Sequence, residues 1–173
     1  MIMRKIILGL AVSLDSYIEG PNGEYDWCLT DQDYGMADFF KRIDSIFVGR
    51  KTYEMSLGLE NGIDGFPKMK EYIFSNTLDA VPPGKTLIRG NIEEQVQQIR
   101  QEEGKDIWLF GGAELTSTFM NLRLVDELWL SVHPIILGSG KPLFVNIKDR
   151  IHLTHFETKT YSTGLVSLKY KIN

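Results

Sequence analysis

The sequence has a single cysteine, Cys28, only three histidines, and no apolar run long enough to cross a membrane. One thiol excludes an internal disulfide and a cysteine-based zinc cluster, and gives no sign of an oxidising compartment. Cys28 itself reads as a small buried apolar residue. Cationic excess is lacking too: 19 Lys and Arg stand against 23 Asp and Glu, for a net charge of -4 and a pI near 5.4. An extended nucleic-acid surface needs clustered cations to displace counterions, so that class of partner is set aside and any anion site must be local. The opening MIMRKIILGLAVSL joins a basic pair to an apolar stretch. The stretch is too short for a bilayer and no small-residue cleavage site follows, so it reads as the first strand of a cytoplasmic protein without a membrane partner. Repeats and low-complexity tracts are missing, which sets aside solenoids and disordered chains.

What remains is an ordinary globular composition, 43% hydrophobic and 24% charged over 173 residues. A chain of that length buries about two-thirds of its unfolded surface, which suits one domain over 1–173. Ile6–Leu14 is apolar at nearly every position, as in a central strand covered on both faces. The turn-rich loop Asp15–Tyr25 follows it. A helix is expected over Asp33–Ile43, with Met36, Phe39, Phe40 and Ile43 inward and Lys41 and Arg42 toward solvent. Strands are expected over Ser45–Gly49, Glu71–Ser75, Thr86–Arg89 and Ile107–Phe110, with helices over Ile92–Glu103 and Ala113–Leu122. Beyond these come a long strand Glu127–Leu137 and a hairpin of His152–Tyr161 with Leu165–Ile172. In the last strand Val166, Leu168, Tyr170 and Ile172 share one face, opposite Ser167, Lys169 and Lys171.

The stretch IWLFGGAELTSTFMNL, Ile107–Leu122, organises the rest. Four apolar residues run into Gly111-Gly112 and then into a helical pattern, and such a turn lets a ligand approach the main chain closely. The helix aims free N–H groups at an anion. Strand-Gly-Gly-helix junctions also arise from packing, so the motif alone decides nothing. Its arrangement recurs at Gly49-Arg50-Lys51-Thr52, where a glycine and two cations stand at a helix start, and Ser75-Asn76-Thr77 offers three short polar side chains at another strand end.

Taken in order, LDSYIEG, VGRKTYE, FSNT, WLFGGAEL and VDELWLSVHPIILGSGKPLF resemble the dihydrofolate-reductase-like superfamily, and within it the C-terminal reductase domain of riboflavin-pathway deaminase/reductase proteins. The resemblance implies a three-layer α/β fold: a mixed, mostly parallel twisted sheet, an antiparallel C-terminal edge hairpin, and helices on both faces. It implies NADPH as cofactor, across the carboxyl ends of the strands. Gly49, Arg50, Lys51 and Thr52 would hold the adenosine phosphates, with Ser75, Asn76 and Thr77 beside the adenosine half. Gly111, Gly112, Ala113, Glu114 and Leu115 would give backbone amides to the pyrophosphate, while Ala11, Val12, Ile18 and Gly20 would pack around the nicotinamide. A backbone closed to other residues is expected at Gly111-Gly112, including a cis peptide as in dihydrofolate reductases. Homodimers are common among such reductases, and Glu127–Leu137 offers apolar surface for one.

Departures bear on the substrate. Riboflavin-pathway reductases usually carry an acidic residue before the glycine pair, toward the ribose-bearing substrate; here Phe110 holds that substrate-binding position. Their Leu-Asp-Gly loop is Leu14-Asp15-Ser16 here. Dihydrofolate reductases anchor the pterin through a helix carboxylate, and two alignments put Asp33 or Met36 there, which does not support folate reduction. Asp33 and Asp15 are the candidates for a catalytic carboxylate that relays a proton as hydride arrives, although capping accounts for Asp33 equally well. Trp27 is a candidate aromatic wall over a planar substrate, or a packing residue. Lys141 could meet an anion or stay solvated. His152 and His155 point to opposite faces at three-residue spacing in a strand, so no metal is expected, and His133 before Pro134 reads as structural. The expectation is an NADPH-dependent reductase of a small heterocyclic or sugar-like C=N or C=O substrate. Its rivals are a catalytically silent NADPH-binding sensor and a riboflavin-pathway reductase that tolerates Phe110.

Overall fold

Among the described residues eight strands form one sheet, in the order Lys85–Ile88, Lys70–Phe74, Ile43–Gly49, Asp106–Gly111, Ile6–Ser13, Glu127–His133, Val166–Ile172 and Leu153–Thr160. The computed structural model describes residues 3–57 and 66–173. The strands are β1 (Ile6–Ser13), β3 (Ile43–Gly49), β4 (Lys70–Phe74), β5 (Lys85–Ile88), β6 (Asp106–Gly111), β7 (Glu127–His133), β9 (Leu153–Thr160) and β10 (Val166–Ile172). Those from β5 to β7 in sheet order run parallel, and the β9–β10 hairpin closes one side antiparallel. A separate ribbon pairs β2 (Tyr17–Glu19) with β8 (Lys141–Pro142).

Helices α1 (Met36–Arg42), α2 (Arg50–Leu57), α3 (Ile92–Gln101) and α4 (Ala113–Asn121) cover both faces. Two apolar clusters show the division. One joins Val96 and Ile99 of α3 and Leu115, Phe119 and Met120 of α4 to Ile6, Leu8, Phe47, Ile107 and Leu109. The other joins Phe39 of α1 and Tyr53 of α2 to Ile7, Ile46, Val48, Ile73 and Trp108. Neighbours in a strand point to opposite faces, so β1, β3 and β6 feed both clusters.

Several elements are shorter than the sequence suggests, and each end has a chemical cause. β1 stops at Ser13 because its hydroxyl donates to Asp15 Oδ1 at 2.6 Å and accepts from the Tyr17 amide, which turns the chain and leaves Leu14 exposed. β7 stops at His133, since Pro134 has no N–H for a ladder, and Asp15 accepts the Leu137 and Gly138 amides instead. α1 starts at Met36, not Asp33, because the Asp33 carboxylate accepts from the amides of Gly35 and Ala37 while Gly35 takes φ 86 at the cap.

Two cationic side chains, Arg42 and Lys169, are less free in solvent than the sequence suggests. Arg42 does not point to solvent: it bonds Asp106 at 2.7 Å and Glu127 at 3.0 Å and lies over the Trp129 ring, because the buried Glu127 carboxylate needs cations. β5 and β6 run parallel, with β4 and β3 between them. β7 is flanked by β1 and β10, and the sheet's two edge strands are β5 and β9, every residue of β9 being exposed. On β10, Lys169 does not face water freely but sits 4.0 Å over the Trp129 ring.

Candidate functional site

A cavity of about 330 Å³ opens at the carboxyl ends of β3, β4, β5 and β6. Its lining takes Gly49, Arg50, Lys51 and Thr52 from the β3–α2 turn, Ser75, Asn76 and Thr77 after β4, and Gly112, Ala113, Glu114 and Leu115 from the start of α4. Segments whose first residues lie 26 to 63 positions apart in sequence thus meet on one opening. Gly111 lies outside the lining, at the end of β6, where it stands opposite Val48 of β3.

The two glycine-led turns touch. A Cβ on Gly49 would lie 3.5 Å from Gly111 O and 3.5 Å from Leu115 Cβ, and one on Gly112 would lie 3.0 Å from Thr52 Oγ1. The Gly111-Gly112 peptide is cis and Gly111 has φ 113, a region closed to residues with a side chain, in line with the expectation for this pair. α4 begins immediately after, and Gly112 supplies no capping side chain. The first intrahelical bond runs from the Thr116 amide to Gly112 O, so the amides of Ala113, Glu114 and Leu115 have no helical acceptor and face the cleft end. Glycines that a Cβ would fill, beside unpaired amides, fit a phosphate-bearing ligand.

The remaining walls are set by local bonds. Ser75 Oγ accepts from the amides of Thr77 and Leu78, and Asn76 Oδ1 accepts from Gly90 N at 3.0 Å. These bonds fix the turn after β4 against the end of β5. Phe74, Ile88 and Ile92 supply an apolar side that suits a flat ring. Sequence reasoning passed over these three; their signal is position, since each flanks the carboxyl end of a parallel strand.

Charge in the cleft is paired. Arg50 bonds Glu54 at 2.9 Å, Lys51 bonds Glu114 at 2.7 Å, and Lys141 bonds Glu19 at 2.6 Å. The Lys51 hydrogen bond and charge hold the Glu114 carboxyl below its ordinary range, with Lys141 and Arg50 adding to the effect. Lys141 reaches the lining because the β2–β8 ribbon places it opposite Glu19.

Ala11, Val12, Ile18 and Gly20 stand apart from this lining, along the end of β1 and on or just after β2. Val12 and Ile18 pack in the α4-side cluster. The Gly20 amide donates to Glu24 O at 2.8 Å. The ribbon connects this group to the cleft through Lys141.

The other candidates lie outside this lining, in the loop after β1, at the start of α1 and near the end of β6. Both Asp15 oxygens are engaged, by the Ser13 hydroxyl and by the Leu137 and Gly138 amides, and the Ser13 bond leads in lowering its pKa. Ser16, in the place of the usual glycine, takes φ 69. Asp33 is exposed and spends both oxygens on the main chain of the α1 start. The inward residues of α1 are Met36, Phe39 and Phe40, and its one carboxylate, Asp38, pairs with Lys41 in solvent; a pterin-anchoring acid is thus not on this helix. Trp27 packs edge-on against His133 at 5.3 Å. His133 is buried, its Nδ1 bonds Ser131 O at 2.9 Å, and its Nε2 has no protein partner among the described residues. Phe110 stacks edge-on against Trp108 at 5.0 Å, on the α1 side of the sheet. Among the described residues no group of three His, Cys, Asp or Glu is placed to hold a metal, and no helix is long and apolar enough to cross a membrane.

Fold and cleft together define a dihydrofolate-reductase-like α/β protein. The model of the RibD C-terminal domain matches residues 4–167, and the chain belongs to that family. It is 44% identical over 180 residues to YyaP of Bacillus subtilis (strain 168), an uncharacterized protein, covering 98% of this chain and 96% of that one. Its fold is similar to that of a putative riboflavin biosynthesis protein from Shewanella sp. PV-4, with TM-score 0.84 at 24% identity over 98% of this chain and 99% of that one. It is also similar to dihydrofolate reductase from Enterococcus faecalis, solved with NADP(H), with TM-score 0.69 at 15% identity over 98% and 96% of the two chains.

Proposed function

We propose that this chain is an NADPH-dependent reductase acting on a C=N or C=O group of a small heterocyclic or sugar-like substrate, related to the riboflavin pathway. One observation carries the reading: three strand-end segments, Gly49–Thr52, Ser75–Thr77 and Gly112–Leu115, meet on a single cavity. Arg50 and Lys51 face the phosphates, and a guanidinium suits a terminal phosphate because its planar fork bonds two oxygens at once. The amides of Ala113, Glu114 and Leu115 face the pyrophosphate, and Phe74, Ile88 and Ile92 the adenine. Bound there, the cofactor supplies hydride; the chain aligns it and excludes water. The substrate lies on the α1 side of the sheet between Trp27 and Phe110. By resemblance to such reductases the chain is a homodimer, which sedimentation of the purified protein tests.

A second reading has support in the carboxylates. Asp15 and Asp33 both spend their oxygens on main-chain and hydroxyl donors, which favours a protein that holds NADPH without turnover. One experiment separates the two: NADPH binding by calorimetry, followed by oxidation at 340 nm against pteridines, ribosylaminopyrimidines and carbonyl compounds. Binding with oxidation supports the reductase, and binding without oxidation supports the sensor. Absence of binding removes both.

A further inference from the structure

We propose that the Glu114 carboxylate is a built-in occupant of the cleft's anion position, which an incoming phosphate must displace from Lys51, so that Glu114 sets which anions the cleft accepts. The proposal rests on the cofactor reading above and deepens it.

Glu114 is the second residue of α4, at the turn whose amides lack helical partners, and its side chain lines the cavity. Its carboxylate bonds Lys51 Nζ at 2.7 Å, and the charges of Lys141 and Arg50 draw it further. The other two cations of the lining are satisfied locally. Arg50 pairs with Glu54 one turn along α2, and Lys141 pairs with Glu19 across the ribbon. Among the described residues, only the Lys51–Glu114 pair bridges the opening between the two glycine turns.

Three cations matched by three carboxylates leave the cleft without net attraction for a distant anion. Entry therefore depends on exchange. The Glu114 side chain is 77% exposed and that of Lys51 61%, and an exposed pair is held weakly. A ligand with two or more phosphate charges can replace Glu114 at Lys51 and gain the free amides as well. A singly charged ligand gains less from the same exchange, and an uncharged one nothing.

The test is calorimetry at low salt with inorganic pyrophosphate, 2′,5′-ADP, NADPH and adenosine, on wild type and Glu114→Gln. The variant should bind pyrophosphate and 2′,5′-ADP about 3- to 10-fold more tightly, as loss of one competing and repelling charge implies, with a steeper salt dependence and unchanged adenosine binding. Glu157→Gln, on the far edge strand, removes the same charge and should change nothing. In a Lys51→Met background the gain should vanish, because the shared cation is gone. Unchanged or weaker pyrophosphate binding by Glu114→Gln, with an unaltered melting curve, overturns the proposal. A wild type that binds pyrophosphate but neither nucleotide removes the cofactor reading and leaves the Glu114 comparison standing. If neither protein binds any of the anions, both fall.

Discussion

Lys51 Nζ lies 2.7 Å from Glu114 Oε1, so the helix that follows β3 is tied to the helix that follows β6 across the mouth of the cleft. Arg50, its neighbour, instead pairs along its own helix with Glu54. The two cations therefore have different tasks. On the proposed reading Lys51 would meet the pyrophosphate, which NADPH and NADH share, and Arg50 the 2′-phosphate that only NADPH has. A charge-assisted bond contributes roughly 1.5–3 kcal/mol, so NADPH should bind about one to two orders of magnitude more tightly than NADH. Arg50→Ala should erase most of that preference and leave NADH almost unchanged, whereas Lys51→Met should weaken both. Equal affinities of the wild type for the two cofactors, measured by calorimetry, would contradict this division.

Gly111 has φ 113 and stands where β6 meets β3. A side chain at such a φ costs roughly 1–2 kcal/mol from its own clash with the backbone, and the Cβ would also lie 3.5 Å from Thr116 Oγ1. Gly111→Ala should lower the melting temperature by about 2–8 °C for a domain of this size and weaken NADPH binding further than stability alone explains. A variant that melts and binds like the wild type would show that this backbone does not matter.

Much of this was legible in the sequence, and the residues show why. Ile6–Ser13 announces a strand buried on both faces because each face meets its own apolar cluster. Gly49 and Gly111-Gly112 mark strand-to-helix turns, which packing alone would also explain; it is their order among the other motifs that points to a cleft. What escaped is long-range pairing. Tyr17–Glu19 and Lys141–Pro142 are too short to carry a period, and they become strands only by meeting each other. Arg42 looks like a solvated residue after Lys41 until Glu127, buried far along the chain, is placed beside it. The partner of Lys51 was hidden for the same reason, since nothing near it in sequence points to Glu114. Asp33 was weighed equally as cap and acid; the local bonds supply the cap, and the acid remains a proposal.

Cys28 reports on the loop that carries Trp27. Burial first, and then the charge of Asp26, push its thiol up to about 11. At pH 8 that leaves about 100-fold less thiolate than at the ordinary value of 9.0, and the greater nucleophilicity of a more basic thiolate gives back about one order of magnitude. Iodoacetamide should therefore modify native Cys28 about tenfold more slowly than the same thiol in urea. Equal rates, followed by mass spectrometry, would place Cys28 in open solvent.

Glu127 ties the amino ends of the sheet together, and its charge state should govern acid stability. Its side chain is 3% exposed, with bonds from Lys5 at 2.9 Å, Arg42 at 3.1 Å and Trp129 at 3.0 Å. Burial pushes its carboxyl up, but the bonds from Arg42, Lys5 and Trp129 outweigh it and hold the group below the ordinary 4.5. A carboxyl whose folded value lies below its unfolded one stabilises the fold fully above the unfolded value, and that share is lost as pH falls through the folded value. Urea midpoints for the wild type should therefore fall once pH drops below about 4.5, where the unfolded chain takes up the proton first. Glu127→Gln leaves Arg42 with Asp106 as its remaining carboxylate and takes the charge partner from Lys5, and should cost roughly 1–3 kcal/mol at pH 7. The deficit should shrink toward pH 3, because the wild type is losing the same charge there. A deficit constant between pH 7 and pH 3 would mean that shape at position 127, not ionisation, is what the sheet requires.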